Sequence, residues 1–284
     1  METKDNDFID LDFSSVQSDK IAITIHGLEG SSNSNYIKNI TQTLNQNKID
    51  VVAFNMRSCS GEPNRLLSSY HSGKTEDLFE IIQFLEQHYN YTKIFIIGYS
   101  LGGNLTLKFM GEYAQKMPKI VKLAVGVSVP CDLEGSVEAI SKKENKIYRN
   151  GFLKTLKQKA LYKAKQFPKV NLDTNKIKKA TNFYEFDDLV TAPIHGFKNA
   201  KDYWTQSSCK QFITKTTLPT LLISSKDDPF LNEECHPVKE AKNNDNFTFL
   251  QTQYGGHIGF VNGFILSKQR WLEDKILAFI QENS

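Results

Sequence analysis

The sequence has no long apolar run. No stretch approaches the roughly 18 consecutive apolar residues that a membrane-spanning helix requires. The first residues, Met1-Glu2-Thr3-Lys4-Asp5-Asn6-Asp7, are polar and lack the apolar core of a signal peptide. Cysteine is scarce. Cys59, Cys131, Cys209 and Cys235 stand apart, without metal-binding or redox spacing. A strong charge of one sign is lacking too: the net charge is +3, and nothing points to a nucleic-acid partner. There is no internal repeat and no low-complexity segment. These absences leave an ordinary soluble globule, expected in a reducing cytoplasm, with 39% hydrophobic and 24% charged residues. A chain of 284 residues fits one large α/β domain or a domain with an insertion.

What is present is most informative at Ile94-Phe95-Ile96-Ile97-Gly98-Tyr99-Ser100-Leu101-Gly102-Gly103-Asn104. A short apolar strand ends in Gly-x-Ser-x-Gly and runs straight into a helical pattern. The bare pentamer arises by chance about once in ten chains of this length. Between a strand and a helix it is a nucleophile elbow, a tight turn that lifts one serine hydroxyl out of the backbone. Ser100 is therefore the candidate nucleophile, and the chain should hold its partners.

Apolar runs of strand length alternate with helical patterns, which predicts a mostly parallel sheet covered on both faces. Strands are expected at Phe8–Phe13 (a half-exposed edge), Ile21–Ile25, Ile49–Asn55, Lys93–Ile97, Ile120–Val129, Pro219–Ser224 and Phe247–Leu250. Helices are expected at Asn35–Gln46, Thr75–His88, Asn104–Tyr113 and Ser267–Ile280. After Pro130 the alternation stops for about ninety residues, too many for a structureless loop. Residues 131–205 read as a helical cap inserted into a core made of 1–130 and 206–284. Residues 131–180 hold twelve lysines and one arginine against five acidic residues. A solvated helical face is the default for such a run. The sharper reading is a basic cap that meets an anionic membrane or an acidic acyl carrier.

A serine hydroxyl needs a general base, and the base needs a carboxylate to fix its tautomer. In a fold with this elbow the chain order is Ser, then Asp or Glu, then His. His257 lies in the glycine-rich stretch Tyr254-Gly255-Gly256-His257-Ile258-Gly259-Phe260 after the last expected strand. A loop at that end of a strand is where a side chain reaches over the sheet. The acid should follow the penultimate strand, where Asp227 and Asp228 are adjacent. Asp228-Pro229-Phe230 fits the usual acid, small or proline, apolar order and favours Asp228. Asp227 would then cap the next turn or pair with Lys226. The oxyanion hole needs two backbone N–H donors. Leu101, after the nucleophile, is one candidate, and Leu28 of His26-Gly27-Leu28 is the other. Glu29 is unexpected beside a site that stabilises negative charge, so it must point away or be paired, with Arg57 as the partner considered. No metal or cofactor is called for.

With these residues placed, the chain resembles the α/β-hydrolase family of YheT-type predicted bacterial esterases. Eukaryotic relatives of that family include membrane-anchored phospholipid and acylglycerol hydrolases and yeast medium-chain ethyl ester synthases. The matching blocks are Asp7–Asp12, His26–Ser32, Asn55–Asn64, Tyr70–Gly73 with Asp77, Gly98–Asn104, Phe186-Asp187, Thr191–Pro193, Gly196-Phe197, Asp227–Phe230 and Gly256–Phe260. They span nearly the whole chain in order. The resemblance implies an α/β-hydrolase fold with a sheet of about seven strands, and it matches Ser100, Asp228 and His257 to the family's triad. Two departures stand out. Ser58 occupies a position where the family usually has glycine. The chain also starts at the Asp7–Asp12 block, whereas members usually carry an earlier strand and often an anchor. On this basis it is expected to be soluble, with one strand fewer.

The leading expectation is a serine hydrolase of short- to medium-chain carboxylic esters. Phe186, Phe197 and Trp204, with Phe183, Tyr184 and Tyr203, are candidates to line an acyl pocket, or equally to form core between cap and sheet. Transfer of the acyl group to an alcohol or thiol, and a non-catalytic binding module, are the competing readings. The oligomeric state is left open.

Overall fold

The computed structural model describes residues 1–260 and 270–284. Its centre is a seven-stranded sheet of β1 (Asp10–Ser14), β2 (Lys20–Ile25), β3 (Asp50–Asn55), β4 (Lys93–Tyr99), β5 (Val121–Val127), β6 (Thr220–Ser225) and β7 (Phe247–Thr252), in the order β1-β3-β2-β4-β5-β6-β7. Every neighbouring pair is parallel except β1 with β3. β4, which carries the elbow, lies in the middle, where both of its edges are paired.

Helices α1 (Asn35–Gln46), α2 (Thr75–His88) and α3 (Leu101–Glu112) connect the first strands. Strands covered on both faces read as continuous apolar runs rather than alternating ones. Ile21, Ile23, Ile94 and Ile96 face α2 and α3 in one core cluster, with Leu78, Ile82 and Phe109. Ala22, Phe95, Ile97 and Tyr99 face the opposite cluster, with Ile37 and Leu44 of α1. Each such fully buried isoleucine or leucine contributes roughly 1.5–3 kcal/mol relative to exposure, so the middle of the sheet is a rigid platform for the elbow.

The edge strand starts two residues later than its alternation suggests, because the backbone of Phe8 and Ile9 pairs back with Glu2 and Met1, which leaves the ladder with β3 to Asp10–Ser14. The larger difference is at the elbow. β4 runs on to Tyr99 and α3 begins at Leu101, so a single residue, Ser100, makes the turn.

Between β5 and β6 the described chain is helical and holds no strand: α4 (Leu133–Ile140), α5 (Lys146–Gln166), α6 (Thr174–Lys179), α7 (Phe183–Phe186), α8 (Ala192–His195) and α9 (Ala200–Ser207). Side chains of Asp132, Asp173, Asn182 and Asn199 accept N–H groups at the starts of α4, α6, α7 and α9, satisfying donors that a helix leaves orphaned. A wide turn, Asp187–Thr191, joins α7 to α8 just before Pro193, and Gly196 ends α8 with φ +78°. Helices α4 to α7 and the turn after them share a cluster of Ile140, Leu153, Ile177, Phe183, Phe186 and Val190, to which Phe230 of the sheet side is added, while Ala200, Tyr203 and Trp204 of α9 pack with Leu133 in a second one.

Not all of the α5 lysines are solvated. Lys157 donates to the carbonyls of Lys178 and Ala180, Lys163 to those of Asn64 and Leu66, and Lys159 to Glu29. Part of the basic run therefore fastens α5 to the chain at the end of α6 and to the loops that follow β2 and β3. Beyond the cap come α10 (Val238–Lys242) and α11 (Trp271–Asn283). α11 covers most of the expected last helix, whose first residues, 267–269, lie outside the described ones. No helix among the described residues is long and apolar enough to cross a membrane.

Candidate active site

Ser100 has φ +52° and ψ −119°, a conformation that costs a non-glycine residue about 1–3 kcal/mol and persists only when its surroundings hold it. Two glycines make that possible. A Cβ at Gly98 would run into the Gly102 carbonyl and the Thr106 hydroxyl, and one at Gly102 into the carbonyls of Ile25 and His26. The Ser100 N–H continues the sheet by donating to the Val127 carbonyl at 2.8 Å, so the turn is anchored on the β5 side.

The structure brings Ser100, His257 and Asp228 together. Ser100 Oγ lies 3.0 Å from His257 Nε2, and His257 Nδ1 lies 2.8 and 3.0 Å from the two Asp228 oxygens. An ionised carboxylate only accepts, so Nδ1 carries the proton and donates it, leaving Nε2 free to accept from the serine hydroxyl. The Asp228 side chain is fully buried, and its Oδ1 also accepts the Phe230 N–H at 2.9 Å. The Phe230 ring packs against the imidazole with centroids 4.5 Å apart.

Asp227 takes a different part from the two considered. It neither caps the next turn nor pairs with Lys226. Its Oδ1 accepts the Gly256 N–H at 2.8 Å and so ties down the loop that carries His257. The Ser225 hydroxyl donates to the Gly256 carbonyl, and the Ile258 N–H donates to Ser128 Oγ. Gly256 at φ +56° needs the freedom of glycine. The adjacent aspartates thus divide the work, one on the imidazole and one on its loop.

The amides of the loop after β2 are almost all committed. Gly27 N–H donates to the Tyr36 hydroxyl at 3.0 Å, Glu29 N–H to the Tyr70 hydroxyl at 3.2 Å, and Gly30 N–H to the Gly27 carbonyl at 3.0 Å. Leu28 N–H has no acceptor among the described residues, and neither has Leu101 N–H at the start of α3. His26 holds this loop from below: its Nδ1 donates to the Gly27 carbonyl and its Nε2 accepts the Met56 N–H. Burial pushes its pKa down to about 4, so it stays neutral and keeps both bonds.

Glu29 is paired, and its partner is not Arg57. Arg57 is occupied by Asp5, Asp7 and Asp77. Lys159 reaches from α5 to Glu29 Oε1 at 2.8 Å, and the Tyr70 hydroxyl donates to the same oxygen at 2.6 Å. Ser58 does adopt the conformation glycine favours, with φ +64°. Its hydroxyl donates to Asn64 Oδ1 and accepts the Asn64 N–H, a local tie that offsets the strain.

A cavity of about 740 Å³ opens over Ser100 and His257 beneath the cap. Its apolar wall includes Leu133, Val137, Ile140, Phe152, Leu156 and Val190. Phe183, Phe186, Tyr203 and Trp204 also line it. Phe197 does not: it packs behind His71 and Tyr203, with centroids 5.5 and 5.2 Å away. Tyr184 is half exposed and meets Trp204 from outside.

Several lining groups were not legible from motifs. His71 and His195 lie side by side, 4.6 Å between centroids, and burial lowers the pKa of both. Asp187, inside the matched Phe186-Asp187 block, accepts from Thr191 and the Trp204 indole, yet burial pushes its pKa up to about 6.

Comparison with known proteins agrees with this architecture. A family model described as the alpha/beta hydrolase fold matches residues 23–264. The putative esterase YheT of Escherichia coli strain K12 is 35% identical over 97% of this chain and 82% of its own length. The phospholipase ABHD3 of Bos taurus is 29% identical over 91% of this chain, which spans 62% of that protein. Among solved structures, an esterase of Pyrococcus furiosus superposes with a TM-score of 0.66 at 18% identity, covering 99% of this chain and 89% of that one, a likeness of fold alone. With the family match covering most of its length and the esterase relative spanning nearly all of it, the chain belongs to the α/β-hydrolase family.

Proposed function

We propose that this α/β hydrolase cleaves carboxylic esters through a covalent acyl-enzyme on Ser100. The observation that carries this reading is the unbroken line from Asp228 through His257 to Ser100 Oγ, with contacts of 2.8 and 3.0 Å, beneath an apolar cavity. Ser100 Oγ attacks the acyl carbonyl while His257 Nε2 takes its proton. Asp228 holds the imidazole in the required tautomer and stabilises its cation. The Leu28 and Leu101 N–H groups donate to the carbonyl oxygen as it becomes an oxyanion; each such donor contributes about 10²–10³ in rate. His257 returns the proton to the leaving alcohol. Water then enters, gives a proton to His257 and attacks the acyl carbon, and Ser100 leaves with its proton restored.

A cavity of about 740 Å³ is the size of a site for one small ligand. Its apolar wall suits a short- to medium-chain acyl group. The test is hydrolysis of a p-nitrophenyl ester series from acetate to palmitate by the wild type and by Ser100→Ala. Turnover that peaks at one chain length and vanishes in the variant is expected. Equal turnover by Ser100→Ala would overturn the reading, and indifference to chain length would remove the acyl pocket from it.

A further inference from the structure

Glu29 poses an electrostatic problem. Its carboxylate is nearly buried, 7% exposed, on the residue next to the Leu28 amide. A free anion there opposes the charge that an oxyanion hole exists to stabilise. Its backbone is also held in the left-handed region at φ +55°, which fixes the direction of the Leu28–Glu29 segment. The Tyr70 hydroxyl accepts the Glu29 N–H and donates to its carboxylate, but a neutral phenol leaves the charge in place. Lys159, on α5 of the cap, supplies the one cation that touches this carboxylate among the described residues, at 2.8 Å. The same ammonium lies 5.5 Å over the Tyr70 ring and 3.4 Å from Cys59 Sγ, so three neighbours aim it.

We infer that Lys159 is a positioning residue that makes the oxyanion hole depend on the cap: only with α5 seated is the Glu29 charge neutralised beside Leu28. The inference rests on the ester-hydrolase reading and adds an electrostatic coupling between cap and site. With α5 displaced, the Glu29 carboxylate loses its countercharge and the site loses rate in the chemical step. A substrate that holds the cap in place is then turned over faster than its binding alone accounts for.

The test is a double-substitution cycle read as kcat and KM on a p-nitrophenyl ester. Lys159→Met is expected to lower kcat about tenfold or more while KM moves less than about threefold, because the variant retains the cavity and loses the countercharge. Glu29→Gln is expected to stay within about threefold of wild type. The double variant Glu29→Gln/Lys159→Met is expected to recover most of the kcat lost in Lys159→Met. A bridge that only tethers the cap predicts otherwise: both single variants break it, both lose activity alike, and the double variant gains nothing back. That pattern, or a Lys159→Met kcat equal to wild type, overturns the inference while leaving the hydrolase reading intact. A wild-type protein with no esterase activity overturns both.

Discussion

Replacing Asp228 by asparagine isolates the role of one proton. Asp228 Oδ1 accepts the Phe230 N–H and Oδ2 lies 2.8 Å from His257 Nδ1. In Asp228→Asn the amide oxygen keeps the Phe230 bond, since the amide nitrogen has no lone pair to accept it. The NH₂ group is then left facing Nδ1 and donates to it. Nδ1 becomes the acceptor, the imidazole proton moves to Nε2, and Nε2 no longer accepts from Ser100. Shape and volume are unchanged, so the fold should melt within a few degrees of wild type. A wrong tautomer of this kind costs about 10⁴ in kcat, which is about 5.5 kcal/mol in the barrier. Asp227→Asn is the matched control. Its Oδ1 still accepts the Gly256 N–H, so kcat should fall no more than about fivefold. Stopped-flow or steady-state hydrolysis of a p-nitrophenyl ester, with circular dichroism melts of both variants, reads the difference. If Asp227→Asn were the more damaging of the two, the assignment of the acid would be refuted.

Burial holds the Asp187 pKa at about 6, above its unfolded value near 4. The native state therefore binds the proton more tightly, and stability present below pH 4 is lost as pH rises through about 6. Asp187→Asn should match wild type in thermal melts near pH 4 and exceed it by about 2–3 kcal/mol above pH 6; a constant difference across that range contradicts the account. In the cavity, Phe186→Ala should shift the preferred acyl chain toward longer esters. Phe197→Ala, which removes a partly buried ring behind His71 and Tyr203, should lower stability by about 1–2 kcal/mol and leave the chain-length profile in place. A p-nitrophenyl ester series on both variants separates the two.

The centre of the molecule is legible because its chemistry is local. A central strand buried on both faces has to be apolar throughout, as Ile94–Ile97 is, and a one-residue turn into a helix has to have glycine where Gly98 and Gly102 approach backbone and side chain. His257 announces itself by the glycines that let its loop bend. Pairings over long sequence separation leave no such trace. Nothing near Lys159 marks it as the partner of Glu29, 130 residues away, and Arg57 looks equally suitable until Asp5, Asp7 and Asp77 are seen around it. The division between Asp227 and Asp228 depends on which way two adjacent side chains turn. The cap is the least legible part, since its helices after α5 are of four to eight residues, too short for a periodic apolar pattern. Phe186 and Phe197 carry the same composition signal and end on different sides of the cavity wall.

The central claim is that Ser100 is a nucleophile activated by His257. A fluorophosphonate probe on the native protein, followed by peptide mapping, tests it most directly. One phosphonyl adduct on the peptide containing Ser100 is expected, abolished in Ser100→Ala and slowed about a hundredfold or more in His257→Ala. Labelling elsewhere, or equal labelling of the Ser100→Ala variant, would contradict it.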